Sequence, residues 1–216
     1  MDEEALKLLL PDGRSVSAIW TQVVGASLAF VYAPGAGSSL KDPFGAFAAT
    51  ELAGRGIASL RFQFPFSEAG RSAPDRTPVL ESTWRAAIEA ARPRSQRLIV
   101  GGRSMGGRIA TQVVAAGAEV NALALFAYPL HAPAKPDQWR DGHLPSVTAP
   151  ALFCSGTRDA FAKPEELRAV AETMPRATVH LLDGADHGFA IPKASGRTRQ
   201  DVWAEATEAL LDWLPA

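Results

Sequence analysis

Residues 98–110, LIVGGRSMGGRIA, set four glycines around one serine where an apolar run gives way to a helix-like segment. Inside a strand or helix each glycine costs about 0.5–1 kcal/mol relative to alanine. Four of them at one junction therefore imply a geometry that side chains would obstruct. RLIV reads as a strand and MGGRIATQVVAAG as a helix, which puts Ser104 on the turn between them. Gly102, Ser104 and Gly106 form a G-x-S-x-G pattern. In such a turn the serine is lifted clear on a sharp, strained corner, and the positions two before and two after it must be small because strand and helix nearly touch. Gly101 and Gly107 relax the same packing. By itself the pattern is weak, and a glycine-rich turn with an incidental serine is the competing reading; the surroundings decide between them.

On both sides of this corner the sequence alternates. ASLAFVYA, IASLRFQF, QRLIVGG, NALALFAY, ALFCSG and TVHLLDG are short apolar runs of the kind expected for strands buried on both faces. Helical periods lie between them. Asp42-Pro43 supplies an N-cap and a first-turn proline ahead of Phe44, Phe47, Ala48 and Leu52, and Thr77-Pro78 repeats the device before Leu80, Trp84, Ile88 and Ala91. Pro164 opens another helix with Leu167, Val170, Ala171 and Met174 on one face, and Trp203, Ala206, Leu210, Trp213 and Leu214 stripe the last one. These stripes are core faces. At the N-terminus ALKLLL and SVSAIWTQ flank the turn signal PDGR and read as a hairpin. The expected fold is α/β: a mostly parallel eight-stranded sheet with helices on both faces and the antiparallel hairpin at its edge, in one domain over residues 1–216.

In such a sheet, chemistry belongs at the carboxyl ends of the strands. A serine hydroxyl there is a poor nucleophile until a base takes its proton, and that base needs a carboxylate to fix its tautomer. The expected chain order is Ser, then Asp or Glu, then His. Asp159, in ALFCSGTRD, and His187, in LLDGADHGF, each follow a strand and fill the second and third places. His180 falls within a strand, His131 and His143 lie in the irregular stretch 129–150, and Asp183 and Asp186 read as turn residues too near His187 to reach back to it. The oxyanion needs two backbone N–H groups. Met105, at a helix N-terminus, and Ala36, in the loop APGAG, are the candidates; an ordinary glycine loop at 33–37 is the alternative for the second. Phe64, Phe66, Leu130 and Phe189 follow strand ends and are candidates for an apolar substrate wall, with core positions as the other reading. Arg103, beside the serine, reads as an ion-pair partner rather than a substrate anchor.

Bulk properties exclude other classes. With 22 Lys+Arg against 23 Asp+Glu, no basic surplus points to nucleic acid or an anionic membrane. No apolar run approaches the roughly 18 residues of a membrane span, and the acidic start MDEEALKLLLPDG is unlike a secretory signal, so a cytoplasmic location is expected. The single cysteine, Cys154, rules out an internal disulfide and, in its apolar run, reads as inert. The chemistry calls for no metal or organic cofactor, and the expected partner is a small-molecule ester or thioester.

With these residues in place the chain resembles the α/β-hydrolase superfamily over nearly its whole length. LRFQFPFSEAGRSAPDR, GGRSMGGR, YPLHAPAKPDQWRDGHLP and SGTRDAF look more narrowly like a dienelactone-hydrolase-like group that includes testis-expressed protein 30 and certain chromatin-complex subunits. The resemblance implies the fold and a Ser104, Asp159, His187 triad. Relatives usually carry His-Gly-Ala-Gly after the third strand, and Pro34 stands in the place of that histidine here. Dienelactone hydrolases proper use cysteine where this chain has Ser104. Three functions follow as expectations: a serine hydrolase for short acyl groups, an acyltransferase on the same site, or a silent interaction module.

Overall fold

The structure is a computed structural model that describes residues 2–214. Strands β1 (Asp2–Leu9) and β2 (Ser15–Gln22) form the hairpin. They are followed by β3 (Leu28–Ala33), β4 (Ala58–Phe62), β5 (Arg97–Arg103), β6 (Ala122–Phe126), β7 (Ala151–Gly156) and β8 (Ala177–Leu182). The eight strands lie in the order β1-β2-β4-β3-β5-β6-β7-β8. Only the β1–β2 and β2–β4 pairs are antiparallel, as expected for a hairpin added to a parallel sheet.

Period-two alternation divides the apolar side chains between two cores. On one face Val31, Val100, Leu125 and Phe153 pack with Trp84, Ile109 and Leu167. These last three come from helices α3 (Thr77–Ala91), α4 (Met105–Ala115) and α5 (Pro164–Glu172). On the other face Phe30, Tyr32, Phe126 and Leu152 pack with Phe44 and Leu210. Those belong to α1 (Pro43–Gly54) and α6 (Arg199–Trp213). Burying each such side chain stabilises by about 1.5–3 kcal/mol, which is why near-continuous apolar strands need helices on both sides. Cys154 is fully buried, and burial pushes its thiol pKa up, out of the reactive range.

Two local expectations change. Asp42 caps α1 by accepting from the Gly45 N–H at 2.9 Å, but Thr77 lies inside α3, whose cap residue Arg76 offers no side-chain bond. A short helix, α2 (Pro65–Glu68), follows β4 and was not signalled by any periodicity, since four residues hold barely one turn. Its Glu68 fastens the hairpin to the sheet, accepting from Lys7 Nζ at 2.7 Å, the Ser17 amide at 2.8 Å and Gln63 Nε2 at 2.6 Å. Partial burial works to raise the Glu68 pKa, but hydrogen bonds from Lys7, Gln63 and Ser17 outweigh it and hold it at about 2. A carboxylate lowered in the folded state stabilises above its unfolded value, and that contribution is lost as pH falls toward 2. Glu68→Gln is therefore expected to lower Tm at neutral pH and to narrow its gap from wild type at about pH 3. A gap that stays constant across that range would contradict this role.

Candidate active site

Ser104 sits between β5 and α4 with φ 51° and ψ −119°, a positive-φ conformation that costs a non-glycine residue of order 1–3 kcal/mol. The glycines make the corner possible. A Cβ built on Gly102 lies 2.0 Å from the Ala33 carbonyl oxygen, one on Gly106 2.2 Å from the same oxygen, and one on Gly107 2.8 Å from the Gly102 oxygen. Gly101 would strike the Ala124 carbonyl on the neighbouring strand at 1.9 Å. Any side chain at these four positions would force β3, β6 and α4 apart.

Three strand-end loops converge on this corner. His187 Nε2 lies 2.9 Å from Ser104 Oγ, and its Nδ1 lies 2.8 Å and 3.0 Å from the two oxygens of Asp159. Since a carboxylate only accepts, Nδ1 carries the proton toward Asp159 and Nε2 is left to accept from the Ser104 hydroxyl. Asp159 is buried, and its Oδ1 also accepts from the Phe161 N–H at 2.8 Å. The Phe161 ring stacks on the His187 imidazole with centroids 4.0 Å apart, setting the plane of that ring.

The histidine loop reaches this position because it lies directly against the loop after β7. Arg158 N donates to Ala185 O at 2.9 Å, and Gly184 N donates to Thr157 Oγ1 at 2.8 Å. Gly156 permits the contact, since a Cβ there would meet Ala185 O at 2.0 Å. Sequence reasoning passed over Gly156 and Phe161; the signal available was a glycine at a strand end within SGTRDAF, residues 155–161.

The remaining polar candidates have other partners. His131 pairs with Glu166 at 3.0 Å, His143 with Thr111 at 2.8 Å and His180 with Glu205 at 3.3 Å. Asp186 Oδ1 accepts from the amides of Gly188 and Ala190, both at 2.8 Å, and so shapes the turn that carries His187. Met105 begins α4, where its amide has no intrahelical acceptor. The loop holding Ala36 lies beside the corner: a Cβ on Gly35 would sit 3.4 Å from Ser104 Cβ, and Pro34 O lies 2.7 Å from a Cβ on Gly106. Among the described residues no backbone carbonyl accepts from Ala36 N–H.

The apolar wall expected of Phe64, Phe66, Leu130 and Phe189 is core instead. All four are at most 1% exposed, and they are split between the two faces of the sheet, Phe189 packing against Phe44 and the other three lying in the opposite core. A large ring gains more from complete burial than from bordering water. Phe66 also borders a cleft of about 360 Å³, shared with Ala36, Ser38, Ser67 and Arg71.

A doubly covered parallel sheet, with a serine on a strained strand-to-helix corner and an imidazole and carboxylate brought to it by later strand-end loops, is the architecture of hydrolases built on open α/β sheets. The chain belongs to the α/β-hydrolase family, whose model, described as an alpha/beta hydrolase domain, matches residues 26–215. Among solved structures it is similar to XC6422 from Xanthomonas campestris, described as an a/b serine hydrolase without lid. That match has a TM-score of 0.77 and 22% identity, covering 100% of this chain and 97% of that one. It is also similar to a dienelactone hydrolase from Anabaena variabilis (0.76, 22%, covering 99% of each) and to Est1E from Butyrivibrio proteoclasticus (0.76, 14%, covering 96% and 98%). At these identities the likeness establishes the fold. As in the lidless neighbour, no helical lid is present among the described residues: between β6 and β7 the chain forms turns, an isolated bridge between Ala132 and Lys135, and one short 3₁₀ segment, Leu144–Ser146. No helix among the described residues is long and apolar enough to cross a membrane.

Proposed function

We propose that this chain is a serine hydrolase that cleaves a carboxylic ester or thioester with a short acyl group through an acyl-enzyme. Ser104 Oγ attacks the carbonyl carbon while His187 Nε2 takes its proton. The tetrahedral oxyanion is held by the amides of Met105 and Ala36, the first also favoured by the positive end of α4. On collapse the C–O or C–S bond breaks and His187 returns the proton to the departing oxygen or sulfur. Water then repeats the sequence and releases the acid. Asp159 holds His187 in the required tautomer and stabilises its charged form. Within the family, the quoted motifs support placement in the dienelactone-hydrolase-like group that includes testis-expressed protein 30.

The observation that carries this reading is the continuous hydrogen-bonded chain Ser104–His187–Asp159, with a strained serine at its head. A silent interaction module has no need to keep three such groups aligned at the cost of backbone strain. A fluorophosphonate probe tests it: wild type is expected to be labelled at Ser104, because only a hydroxyl activated by a neighbouring base reacts quickly. Labelling of Ser104→Ala at the wild-type rate would reject the assignment.

Without a lid, nothing encloses a long chain. A strand-end edge with no helical cover favours a few-carbon acyl group, which needs no enclosing wall. Across a series of p-nitrophenyl esters, kcat/KM is expected to be highest at two to four carbons, since each added CH₂ contributes about 0.8 kcal/mol only where it is buried. A steady rise through dodecanoyl esters would contradict the short-acyl assignment.

A further inference from the structure

Pro34 has no N–H to tie down the loop after β3, and a side chain supports that loop instead. The buried carboxylate of Asp42 supplies that support. It accepts from Tyr32 Oη at 2.5 Å, from Ser38 Oγ at 3.0 Å and from the Gly45 N–H at 2.9 Å. Ser38 is two residues beyond Ala36, and its own N–H donates to Gly35 O at 3.1 Å, so Asp42 grips the end of the loop that presents the Ala36 amide.

Asp42 is also the acidic partner of Arg103, with Arg103 Nη1 at 3.8 Å from its Oδ1. Arg103 Nη2 donates to the backbone carbonyl of His187 at 3.3 Å, and the guanidinium lies 5.5 Å from the centre of the Phe189 ring. One planar, rigid guanidinium, carried on the serine's own strand, thus reaches two loops at once: the histidine loop through a carbonyl and the Ala36 loop through Asp42. Lysine, with one point-like ammonium on a flexible stem, cannot span them. Arg103 is three-quarters covered, its side chain being 22% exposed, which leaves little of it for a substrate.

Resting on the hydrolase reading above, we propose that Arg103 is a positioning residue that, with Asp42, locks the His187 loop and the Ala36 loop in register about Ser104. Catalytic geometry tolerates little slack, and misplacement of about 1 Å can cost on the order of 10²-fold. A group acting only through geometry changes the transition state rather than ground-state binding, so its loss appears in kcat.

The test combines kinetics with amide exchange. Arg103→Met is expected to lower kcat for p-nitrophenyl acetate about 30-fold with KM within about twofold of wild type. Arg103→Lys should recover only part of this, and ethylguanidinium added to Arg103→Ala should restore activity about fivefold or more. Asp42→Asn should produce a similar loss, and the double variant Asp42→Asn/Arg103→Met should be no worse than about twofold below the weaker single variant. Active-site titration with the fluorophosphonate counts folded, competent sites, so a simple loss of folded protein is separated from a loss of rate. In the same variant the amides of Gly188 and Phe189 should exchange with solvent about tenfold faster.

The exchange measurement does not depend on ester turnover. If wild type hydrolyses no ester through Ser104, the hydrolase reading fails while faster exchange still supports the brace. A rise in KM at constant kcat, fully additive losses, or unchanged exchange at Gly188 and Phe189 would each overturn the proposal.

Discussion

Ser104→Ala is expected to reduce kcat/KM for a short-chain ester by about 10⁶-fold, with secondary structure and Tm close to wild type. The size follows from what is removed. In the proposed mechanism, without Oγ no covalent intermediate forms, His187 has no proton to take, and only the oxyanion amides and substrate binding remain to assist water. The residual rate should therefore lie above the uncatalysed one. Activity within about tenfold of wild type would remove Ser104 from the reaction.

Asp159→Asn is the second large expected effect, about 10⁴-fold in kcat. The amide matches the carboxylate in shape but can present a donor to Nδ1, which favours the imidazole tautomer with the proton on Nε2, the wrong end for accepting from Ser104. It also removes the charge that stabilises the imidazolium. The Phe161 N–H keeps an acceptor if the amide oxygen faces it at the 2.8 Å position, so the loop should hold its form. Asp183→Asn and Asp186→Asn are the controls. Asp186 serves backbone amides through Oδ1, and asparagine can accept from the same two, so that variant should retain most of its turnover. Near-wild-type kcat in Asp159→Asn beside a collapse in either control would transfer the carboxylate's role.

Much of the architecture was legible because its causes are local. Runs such as LAFVYA alternate between two cores, and such runs bury on both faces whatever the order of strands in the sheet. The hairpin was readable from a Pro-Asp-Gly turn, with Gly13 at φ 83° accepting no side chain without strain. The corner at Ser104 was readable because close approach of strand to helix excludes every residue but glycine at Gly102 and Gly106. The apolar wall was not readable. Phe64, Phe66, Leu130 and Phe189 share the mark of an apolar residue after a strand, and that mark does not distinguish a ring facing a substrate from one under a helix. The four-residue helix at 65–68 turns that segment inward, and four residues carry no periodicity from which to infer it.

By itself, then, the sequence determined the α/β-hydrolase fold, the strained corner with a serine on it, and a carboxylate and an imidazole placed after later strands, since patterning and steric exclusion act over a few neighbouring residues. Only the tertiary structure decided that Ser104 and His187, 83 positions apart, stand 2.9 Å from one another, and that Asp159, 28 positions before the histidine, lies behind it. Those separations depend on the order β5-β6-β7-β8 and on the contact Gly156 allows with Ala185, long-range matters of which sheet edges and loops meet. The contacts from Arg103 to His187 and Asp42 are of the same kind: two loops far apart in the chain approach one guanidinium because parallel strands bring their carboxyl ends to a common edge.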